Sequence, residues 1–344
     1  MEKMRAMVLS ECAKIETKPL KLTKVNKHQI ERSNEILLKI EACGVCHSQL
    51  HGIEGDWKDI GIPPVLPTIP GHEVVGKVIQ IGEKVTKFRV GDRAGITPLL
   101  EACKTCQYCK EGKEYLCESS AITGESFKGG YTEFITVTED FATKVPENMK
   151  SEYAAPLFCA GITGYKAVKA LEPKYHKKIG IFGIGGVGHM AIQFAKVENC
   201  DVIAISRNQN HLDVAKRLGA MDTMRFYENQ DKFLEKLKEK HGLLDAAIVF
   251  APANIVTDTA IKSVKKGGLI VIATVGEKPA FVAFEEKTIR GTLIGSTKDM
   301  EQVIKICQEE NLEVITQTFP LESANEVLKK LKDSKIEARA VLIP

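Results

Sequence analysis

The sequence of 344 residues has almost no net charge and no long apolar segment. Its 48 lysines and arginines are balanced by 45 aspartates and glutamates, so the formal charge is +3. No stretch combines basic with aromatic residues, which argues against nucleic acid or an anionic membrane as a partner. Nothing approaches the roughly 18 apolar residues of a spanning helix, and the N-terminus lacks an apolar run before a cleavage site. We therefore expect a cytoplasmic protein that binds small molecules.

Internal repeats and low-complexity tracts are also lacking, and the length predicts about two domains at roughly 150 residues each. The first 150 residues consist of short apolar runs such as "EILLKIEACG" and "EFITVT", a pattern typical of β-strands and turns. From about Lys177 apolar strands alternate with amphipathic helices, as in "KIGIFG", "GHMAIQFAK" and "DVIAIS". This alternation predicts a parallel sheet covered on both faces. The predicted fold is an α/β fold with two domains.

Cysteine is the residue type whose placement is most informative. Six of the ten cysteines fall into two tight groups, Cys43/Cys46 and Cys103/Cys106/Cys109/Cys117. In a large intracellular chain, this spacing favours metal binding over disulfides. The first group lies in "ACGVCHSQLHG", which also holds two histidines. By itself, Cys43-x-x-Cys46 fits a zinc knuckle or a thiol redox pair equally well.

The second group has four thiols. The cluster-binding segment of ferredoxin-type iron–sulfur proteins also begins C-x-x-C-x-x-C. In that segment, however, a fourth cysteine follows after three residues and is itself followed by proline. Here the gap is seven residues and Glu118 follows Cys117. Four thiolates fill the tetrahedral shell of zinc and leave no position for a substrate. We therefore expect a structural zinc site.

A glycine-rich turn follows the strand "KIGIF". It reads Gly183-x-Gly185-x-x-Gly188 and leads into a predicted helix, which is the context that distinguishes a dinucleotide site from an ordinary turn. In this interpretation Gly183 makes the turn, Gly185 admits the pyrophosphate and Gly188 lets helix pack on strand. Gly186 and Val187 complete the predicted phosphate-binding segment.

The next strand, "DVIAIS", predicts which nicotinamide cofactor is bound. In an NAD site this strand would end in an acidic residue that binds the ribose. Here the strand ends in Ser206 and Arg207. No carboxylate would repel a 2′-phosphate, and a guanidinium is available to pair with it. We expect NADP(H) to be preferred, with NAD(H) possible. The alternative is an exposed arginine that contacts no ligand.

Five ordered motifs make the chain resemble the zinc-dependent medium-chain alcohol dehydrogenases, in particular their cinnamyl-alcohol-dehydrogenase-like branch. They are "GVCHSQLHG", "GHEVVG", the four-cysteine group, "FCAGITGY" and "GIGGVG". The resemblance implies a GroES-like β-rich catalytic domain of residues 1–155, completed by 297–344. It also implies a Rossmann dinucleotide-binding domain of residues 156–296.

The resemblance also implies the roles of individual residues. The catalytic zinc would be held by Cys46, His72 and Cys159, which leaves Cys43 as a small buried residue. Glu73 would take part in ligand exchange at the metal; alternatively it is a carboxylate in an ion pair behind it. Ser48 and His51 match the proton relay, although a serine at a helix start is often only a cap. His47 matches a pyrophosphate contact and Thr163 a residue behind the nicotinamide. Trp57 lies either in the alcohol pocket or in the core.

Gln49 departs from the family pattern, which has aspartate at this position. A carboxylate there accepts a hydrogen bond from the zinc-binding histidine and raises its basicity. A neutral amide can accept the same bond without charge assistance, so we expect the metal affinity or the acidity of the zinc-bound group to differ.

The function implied is an alcohol dehydrogenase or aldehyde reductase that transfers hydride between a primary alcohol or aldehyde and NADP(H). Two zinc ions per subunit and a homodimer or homotetramer are expected. A polyol or secondary-alcohol dehydrogenase on the same scaffold is one alternative. A non-catalytic nicotinamide-binding protein is another, which the presence of Ser48 and all three zinc ligands disfavours.

Overall fold

The computed structural model describes residues 2–62, 65–125, 128–227, 229–275 and 282–344. Its strands, in chain order, are β1 Lys3–Val8, β2 Lys21–Asn26, β3 Glu35–Val45, β4 Glu73–Ile81, β5 Arg93–Ile96, β6 Leu99–Glu101, β7 Ala121–Ile122, β8 Phe134–Thr138, β9 Ala142–Lys144, β10 Lys178–Phe182, β11 Asp201–Ser206, β12 Asp222–Arg225, β13 Leu244–Val249, β14 Val264–Ile272, β15 Thr288–Gly291, β16 Thr316–Pro320 and β17 Arg339–Ile343.

The α-helices separate these strands mainly in the second half of the chain. They are α1 His47–Glu54, α2 Gln107–Lys110, α3 Ser151–Ala154, α4 Ala160–Ala170, α5 Gly188–Val197, α6 Gln209–Arg217, α7 Gln230–His241, α8 Asn254–Ser263, α9 Thr297–Glu309 and α10 Ala324–Lys332. Asparagine side chains begin two of them. Asn208 accepts a hydrogen bond from the backbone of Asn210, and Asn229 accepts one from Lys232, which satisfies backbone donors that a helix start leaves free.

The chain divides into two compact units. The first comprises Met1–Cys159, Gly295–Ile306 and Val314–Pro344, and the second comprises Ala160–Ile294 and Cys307–Glu313. Within the second unit, the Gln193 side chain binds both backbone groups of Glu313, donating to its carbonyl and accepting from its N–H.

The first unit is built on a seven-stranded, mostly antiparallel sheet in the order β16-β17-β3-β4-β5-β9, with β8 also paired to β3. Nearly every residue of β3 is buried, as expected for a central strand with a covering layer on each face. The antiparallel register places Gly44 of β3 opposite Glu73 of β4. The segments that follow Val45 and precede Glu73 therefore meet at one end of the sheet.

The second unit contains a six-stranded parallel sheet in the order β12-β11-β10-β13-β14-β15. Its strands are short apolar runs, and a cluster that includes Phe182, Phe233 and Leu244 is buried against them. The first strand, β10, lies in the middle, with β11 on one side and β13 on the other. This order reverses direction at β10, the position where doubly wound sheets bind ligands. The predicted α/β fold, with a β-rich part and a parallel-sheet part, is confirmed.

Among the described residues, no helix combines the length and the apolar character needed to cross a bilayer.

Candidate metal centres and dinucleotide-binding turn

Four side chains meet where β3 ends and β4 begins. Cys46 follows β3 and begins α1, while His72 and Glu73 stand at the start of β4. Cys159 follows a 3₁₀ turn, Ala155–Phe158, that packs against both strands. One potential ligand atom from each of the four lies within 4.8 Å of the others. The structure therefore brings together the three predicted zinc ligands and Glu73.

The separations in this group fit a tetrahedral metal. The sulfur atoms of Cys46 and Cys159 are 3.8 Å apart, which is the separation that two Zn–S bonds of about 2.3 Å produce at a tetrahedral angle. The Nε2 atom of His72 lies on the same side, 3.4 Å from the Ser48 hydroxyl. Two sulfurs and one imidazole are a zinc-type donor set that leaves a fourth position free for water or substrate.

The thiols of this group differ in acidity. The hydrogen bond from Cys159 and the neighbouring His72 hold the pKa of Cys46 well below its usual range, and Cys46 in turn raises the pKa of Cys159. Two adjacent thiols share one negative charge more easily than they carry two. A dication at this position would favour the thiolate form of both.

Gln49, on α1, holds the other side of the His72 ring. Its side-chain oxygen accepts a hydrogen bond of 2.7 Å from the Gly71 backbone N–H, and its nitrogen lies 2.7 Å from His72 Nδ1. Gln49 and His72 are each only 3% exposed. The amide therefore sets the plane of the imidazole and directs Nε2 toward the two sulfurs.

Glu73 is fully buried and forms an ion pair with Arg339 of β17. Burial raises the pKa of the Glu73 carboxyl to about 7, although the Arg339 charge lowers it. Its second oxygen, Oε2, has no hydrogen-bond partner among the described residues. Glu73 is thus both a candidate metal-group ligand and half of an ion pair, so the two interpretations of its role are compatible.

Ser48 and His51 lie on α1, beside the metal group. The Ser48 hydroxyl donates to the Cys46 sulfur over 3.1 Å. His51 donates from Nδ1 to Asp56 over 2.9 Å, and Trp57 stacks on its ring at a centroid distance of 5.4 Å. Trp57 is half-buried and so is not a core residue. Because Nδ1 donates to a carboxylate, Nε2 of His51 is left as a proton acceptor.

The other residues of the predicted site lie nearby in sequence but in different surroundings. Cys43 is completely buried, and burial raises the pKa of its thiol far above the usual range, so it is not part of the metal group. His47 opens α1 in the first unit and is exposed, while Thr163 lies in the first turn of α4 in the second unit and is half-buried.

The four cysteines of the second group form a separate cluster around α2. Their sulfurs all lie within 4.8 Å of one another, with Cys103 and Cys109 3.9 Å apart. Backbone N–H groups point at the sulfurs, from Cys106 to Cys103 and from Cys103 to Cys117. Neighbouring donors, with Thr105 foremost, lower the pKa of Cys103 to about 5. Four sulfurs at these separations fit the tetrahedral shell of a structural zinc, which would leave no position for a substrate.

The glycine turn after β10 has the shape expected of a phosphate site. Gly183 has φ +100°, and a side chain there would meet the Ala251 backbone at 2.8 Å. A Cβ on Gly188 would collide with the Gly183 carbonyl, whereas one on Gly185 would meet nothing within 4 Å. The two outer glycines are thus required by packing, and the middle one leaves open space in front of α5. Gly186 and Val187 form the turn that leads into that helix.

Ser206 and Arg207 end β11 as the sequence predicts. The Ser206 hydroxyl accepts a hydrogen bond from the Asn208 N–H, and Arg207 is exposed. Among the described residues, no carboxylate forms an ion pair with Arg207. An exposed guanidinium that no described carboxylate pairs with is available to bind an anion at the end of the second strand.

Three residues that contact the site residues or act on them through charge were missed by the sequence analysis. Arg339 could have been found, because a single arginine within the apolar run "ARAVLIP" must have a buried partner. Asp56 gives no such signal, since its contact with His51 is made through an ordinary turn. Glu125 follows β7 and acts on His72 through its charge; its short motif, "TGES", resembles any surface turn.

Comparison with known proteins gives two family matches that follow each other along the chain. The family described as "Alcohol dehydrogenase GroES-like domain" matches residues 32–147, and the one described as "Zinc-binding dehydrogenase" matches residues 186–309. An alcohol dehydrogenase from Geobacillus stearothermophilus is 38% identical over 330 residues, which are 94% of this chain and 96% of that protein.

Solved structures show the same similarity. The alcohol dehydrogenase of the archaeon Aeropyrum pernix has a TM-score of 0.90 at 28% identity, covering 99% of this chain and 100% of its own. A cinnamyl alcohol dehydrogenase from Sorghum bicolor has a TM-score of 0.87 at 27% identity, covering 99% of this chain and 98% of its own.

Proposed function

This chain belongs to the zinc-binding alcohol dehydrogenases, and from that premise we propose that it transfers hydride between a primary alcohol or aldehyde and NADP(H). The observation that carries the proposal is the buried group of Cys46, His72 and Cys159. It offers three ligands of the zinc type and leaves a fourth position open. A non-catalytic binding protein would have no need of that open position.

We assign the metal-binding roles as follows. Cys46, His72 and Cys159 would hold a catalytic zinc, which supplies a Lewis acid that lowers the pKa of a bound alcohol or polarises an aldehyde. The four cysteines around α2 would hold a second, structural zinc. Glu73 stands beside the catalytic group with one oxygen paired to Arg339 and the other unpaired, which suits a carboxylate that assists ligand exchange.

We assign the proton path to Ser48 and His51. The Ser48 hydroxyl contacts two of the three residues that would hold the catalytic zinc, Cys46 and His72. A hydroxyl can accept the proton of an alcohol while donating its own, so it can pass a proton on without becoming charged. His51 would serve as a further proton acceptor at Nε2, because its Nδ1 donates to Asp56.

We assign the cofactor contacts to residues that match the family motifs. The Gly183–Gly188 turn, the start of α5 and His47 would bind the pyrophosphate, and Thr163 would lie behind the nicotinamide. The NADP(H) preference rests on Arg207, which is exposed without an ionic partner among the described residues, and on Ser206 in place of an acid. A 2′-phosphate offers Arg207 a bidentate partner.

The experiment is a comparison of kcat/KM for matched carbonyl substrates with both cofactors. Full-length protein is assayed with an aromatic aldehyde, an aliphatic aldehyde, a ketone and a ketose, each with NADPH and with NADH. We expect both aldehydes to exceed the ketone and the ketose, and NADPH to exceed NADH. A higher kcat/KM for the ketone or ketose overturns the primary-alcohol assignment, and a higher value with NADH overturns the cofactor assignment.

A further inference from the structure

The edge strand of the parallel sheet, β12, ends beside the carboxyl end of β11. The two strands pair in parallel, and Ser206, the last residue of β11, is in register with Arg225, the last residue of β12. The contact continues one residue further, where the Phe226 N–H donates to the Ser206 carbonyl over 2.9 Å. Because neighbouring strands lie about 4.8 Å apart, Arg225 is one strand spacing from the residue that replaces the acid of an NAD site.

The register also places Ser206 and Arg225 on one face of the sheet. Side chains alternate between the two faces along a strand, and the preceding pair, Ile205 and Met224, belongs to the buried cluster whose helical members come from α7 and α8. Ser206 and Arg225 therefore lie on the opposite face, where α5 and α6 pack against β11. Because α5 begins in the glycine turn, Arg225 is on the same face as the helix whose start would bind the pyrophosphate.

The charges at this edge of the sheet are positive. Arg225 is exposed, and no carboxylate in the described part of the chain forms an ion pair with it. The acidic residues of the two strands stand at their opposite ends: β11 begins at Asp201, and β12 begins at Asp222, which pairs with His241 over 2.7 Å. At about 3.3 Å per residue, Asp222 is roughly 10 Å from Arg225 along the strand. The carboxyl edge thus carries two guanidinium groups, Arg207 and Arg225.

A single arginine neutralises a 2′-phosphate only in part. A phosphate monoester carries a charge of about −1.5 to −2 at pH 7 and offers several strong acceptor oxygens. A bidentate contact with Arg207 leaves at least one of these oxygens and part of the negative charge without a protein partner. The guanidinium of Arg225 stands at the end of a long, flexible stem, so it can reach an anion bound at the end of the neighbouring strand.

We propose that Arg225 is a second determinant of cofactor specificity, which binds the 2′-phosphate of NADP(H) together with Arg207. Arg207 follows the strand whose end carries the ribose-binding acid in NAD sites, whereas Arg225 comes from the next strand outward and belongs to no dinucleotide motif of the sequence. The proposal rests on the NADP(H) preference assigned under the proposed function.

The test measures binding rather than turnover. Dissociation constants of full-length wild type and Arg225→Gln are measured by isothermal titration calorimetry for NADPH against NADH, and for adenosine 2′,5′-bisphosphate against 5′-AMP. The members of each pair differ only in the 2′-phosphate. Arg225→Gln should bind NADPH and the bisphosphate about tenfold more weakly, near the lower end for a charge-assisted hydrogen bond because the guanidinium is exposed. The dissociation constants of NADH and 5′-AMP should stay at their wild-type values.

Two further variants separate this contact from a general effect of charge. Arg217→Gln removes an exposed arginine at the last residue of α6, where it pairs with Glu313, and should leave all these dissociation constants unchanged. Arg225→Lys keeps the charge and removes the planar fork of donors. Its affinity for NADPH should therefore lie between the affinities of the wild type and of Arg225→Gln.

Four results would overturn the inference. An unchanged NADPH affinity in Arg225→Gln, together with a loss in Arg207→Ala, would show that Arg207 alone binds the phosphate and would leave the proposed function standing. An equal loss of affinity for NADPH and NADH in Arg225→Gln would assign Arg225 to another part of the cofactor. An equal loss in Arg217→Gln would reduce the effect to general charge. A wild-type protein that binds NADH more tightly than NADPH would remove the NADP(H) assignment and this inference together.

Discussion

Replacing Arg339 with methionine tests the buried ion pair behind the metal group. Glu73 is 0% exposed and Arg339 is 4% exposed, so Arg339→Met leaves a carboxyl with no counter-charge from β17 and no access to water. Breaking such a pair costs about 3–5 kcal/mol when the remaining group stays charged. The carboxyl can escape part of this cost by taking up a proton, and the loss of stability should therefore depend on pH.

The sign of this dependence follows from the raised pKa of Glu73. In the folded protein burial raises the pKa to about 7, against 4.5 for an unperturbed glutamate. The folded state thus holds a proton that the unfolded chain releases, and this contribution to stability is present below pH 4.5 and declines as the pH rises toward 7. Without Arg339 the pKa of Glu73 in the folded protein rises further, so stability continues to decline as the pH rises above 7. The free energy of unfolding of Arg339→Met should therefore fall further below that of the wild type by about 1.4 kcal/mol per pH unit above pH 7.

The assay is urea unfolding from pH 5 to 9, on protein from which a chelator has removed the zinc of the Cys46 site. Trp57, the only tryptophan, lies in the first unit and reports its unfolding by fluorescence. The stability curves of wild type and Arg339→Met should separate above pH 7, and in Glu73→Gln/Arg339→Met the separation should disappear. Parallel curves for wild type and Arg339→Met would refute the argument that Arg339 compensates the Glu73 charge.

The other predictions concern the proton path, the cofactor and a half-buried histidine. Ser48→Ala should lower kcat by about 10²–10⁴, the usual contribution of a positioned proton-transfer group, with zinc content unchanged; near-normal kcat in zinc-loaded enzyme would remove Ser48 from the path. Arg207→Ala should raise KM for NADPH by about ten- to hundredfold, since a charged hydrogen bond contributes roughly 1.5–3 kcal/mol. KM for NADH should stay nearly constant. An equal rise in KM for both cofactors would contradict a contact between Arg207 and the 2′-phosphate. Burial, and next the Lys128 charge, lower the pKa of His28 to about 4 from 6.5, so the unfolded chain binds the proton more readily and stability falls as the pH drops below 6.5. Between pH 7 and 5 the loss of stability attributable to His28 is about 2 kcal/mol. In thermal unfolding scans, His28→Phe should therefore lose less stability than the wild type over this pH range. Identical pH profiles for the two proteins would exclude His28 as the cause.

The elements that carry local patterns could be predicted from the sequence. The parallel sheet was visible in its apolar strands, and the glycine turn in the spacing of Gly183, Gly185 and Gly188. Positive φ at Gly183 and tight packing at Gly188 are local requirements that only glycine satisfies. The four-cysteine group is likewise confined to 15 residues of chain, Cys103–Cys117, so its ligand spacing could be read directly.

Contacts made between distant segments could not be predicted. Glu73 and Arg339 are 266 residues apart, and their pairing depends on the position of β17 next to β3 in the sheet. The substitution at Gln49 was visible in the sequence, but its consequence was not. The Gly71 N–H binds the Gln49 side-chain oxygen and so turns the amide nitrogen toward His72. Neither contact has a sequence pattern of its own, because each arises from packing between segments.

A catalytic zinc at Cys46 can be tested directly by measuring zinc content and aldehyde reduction on the same samples. The samples are the wild type and the variants Cys46→Ser, Cys43→Ala and Cys109→Ser. We expect two zinc ions per wild-type chain. Cys46→Ser should hold one and lose turnover, while Cys43→Ala, altered three residues earlier, should keep both. Cys109→Ser should lose one zinc together with much of its stability, because closed sites contribute folding free energy. A Cys46→Ser variant that keeps two zinc ions and wild-type turnover would contradict the account.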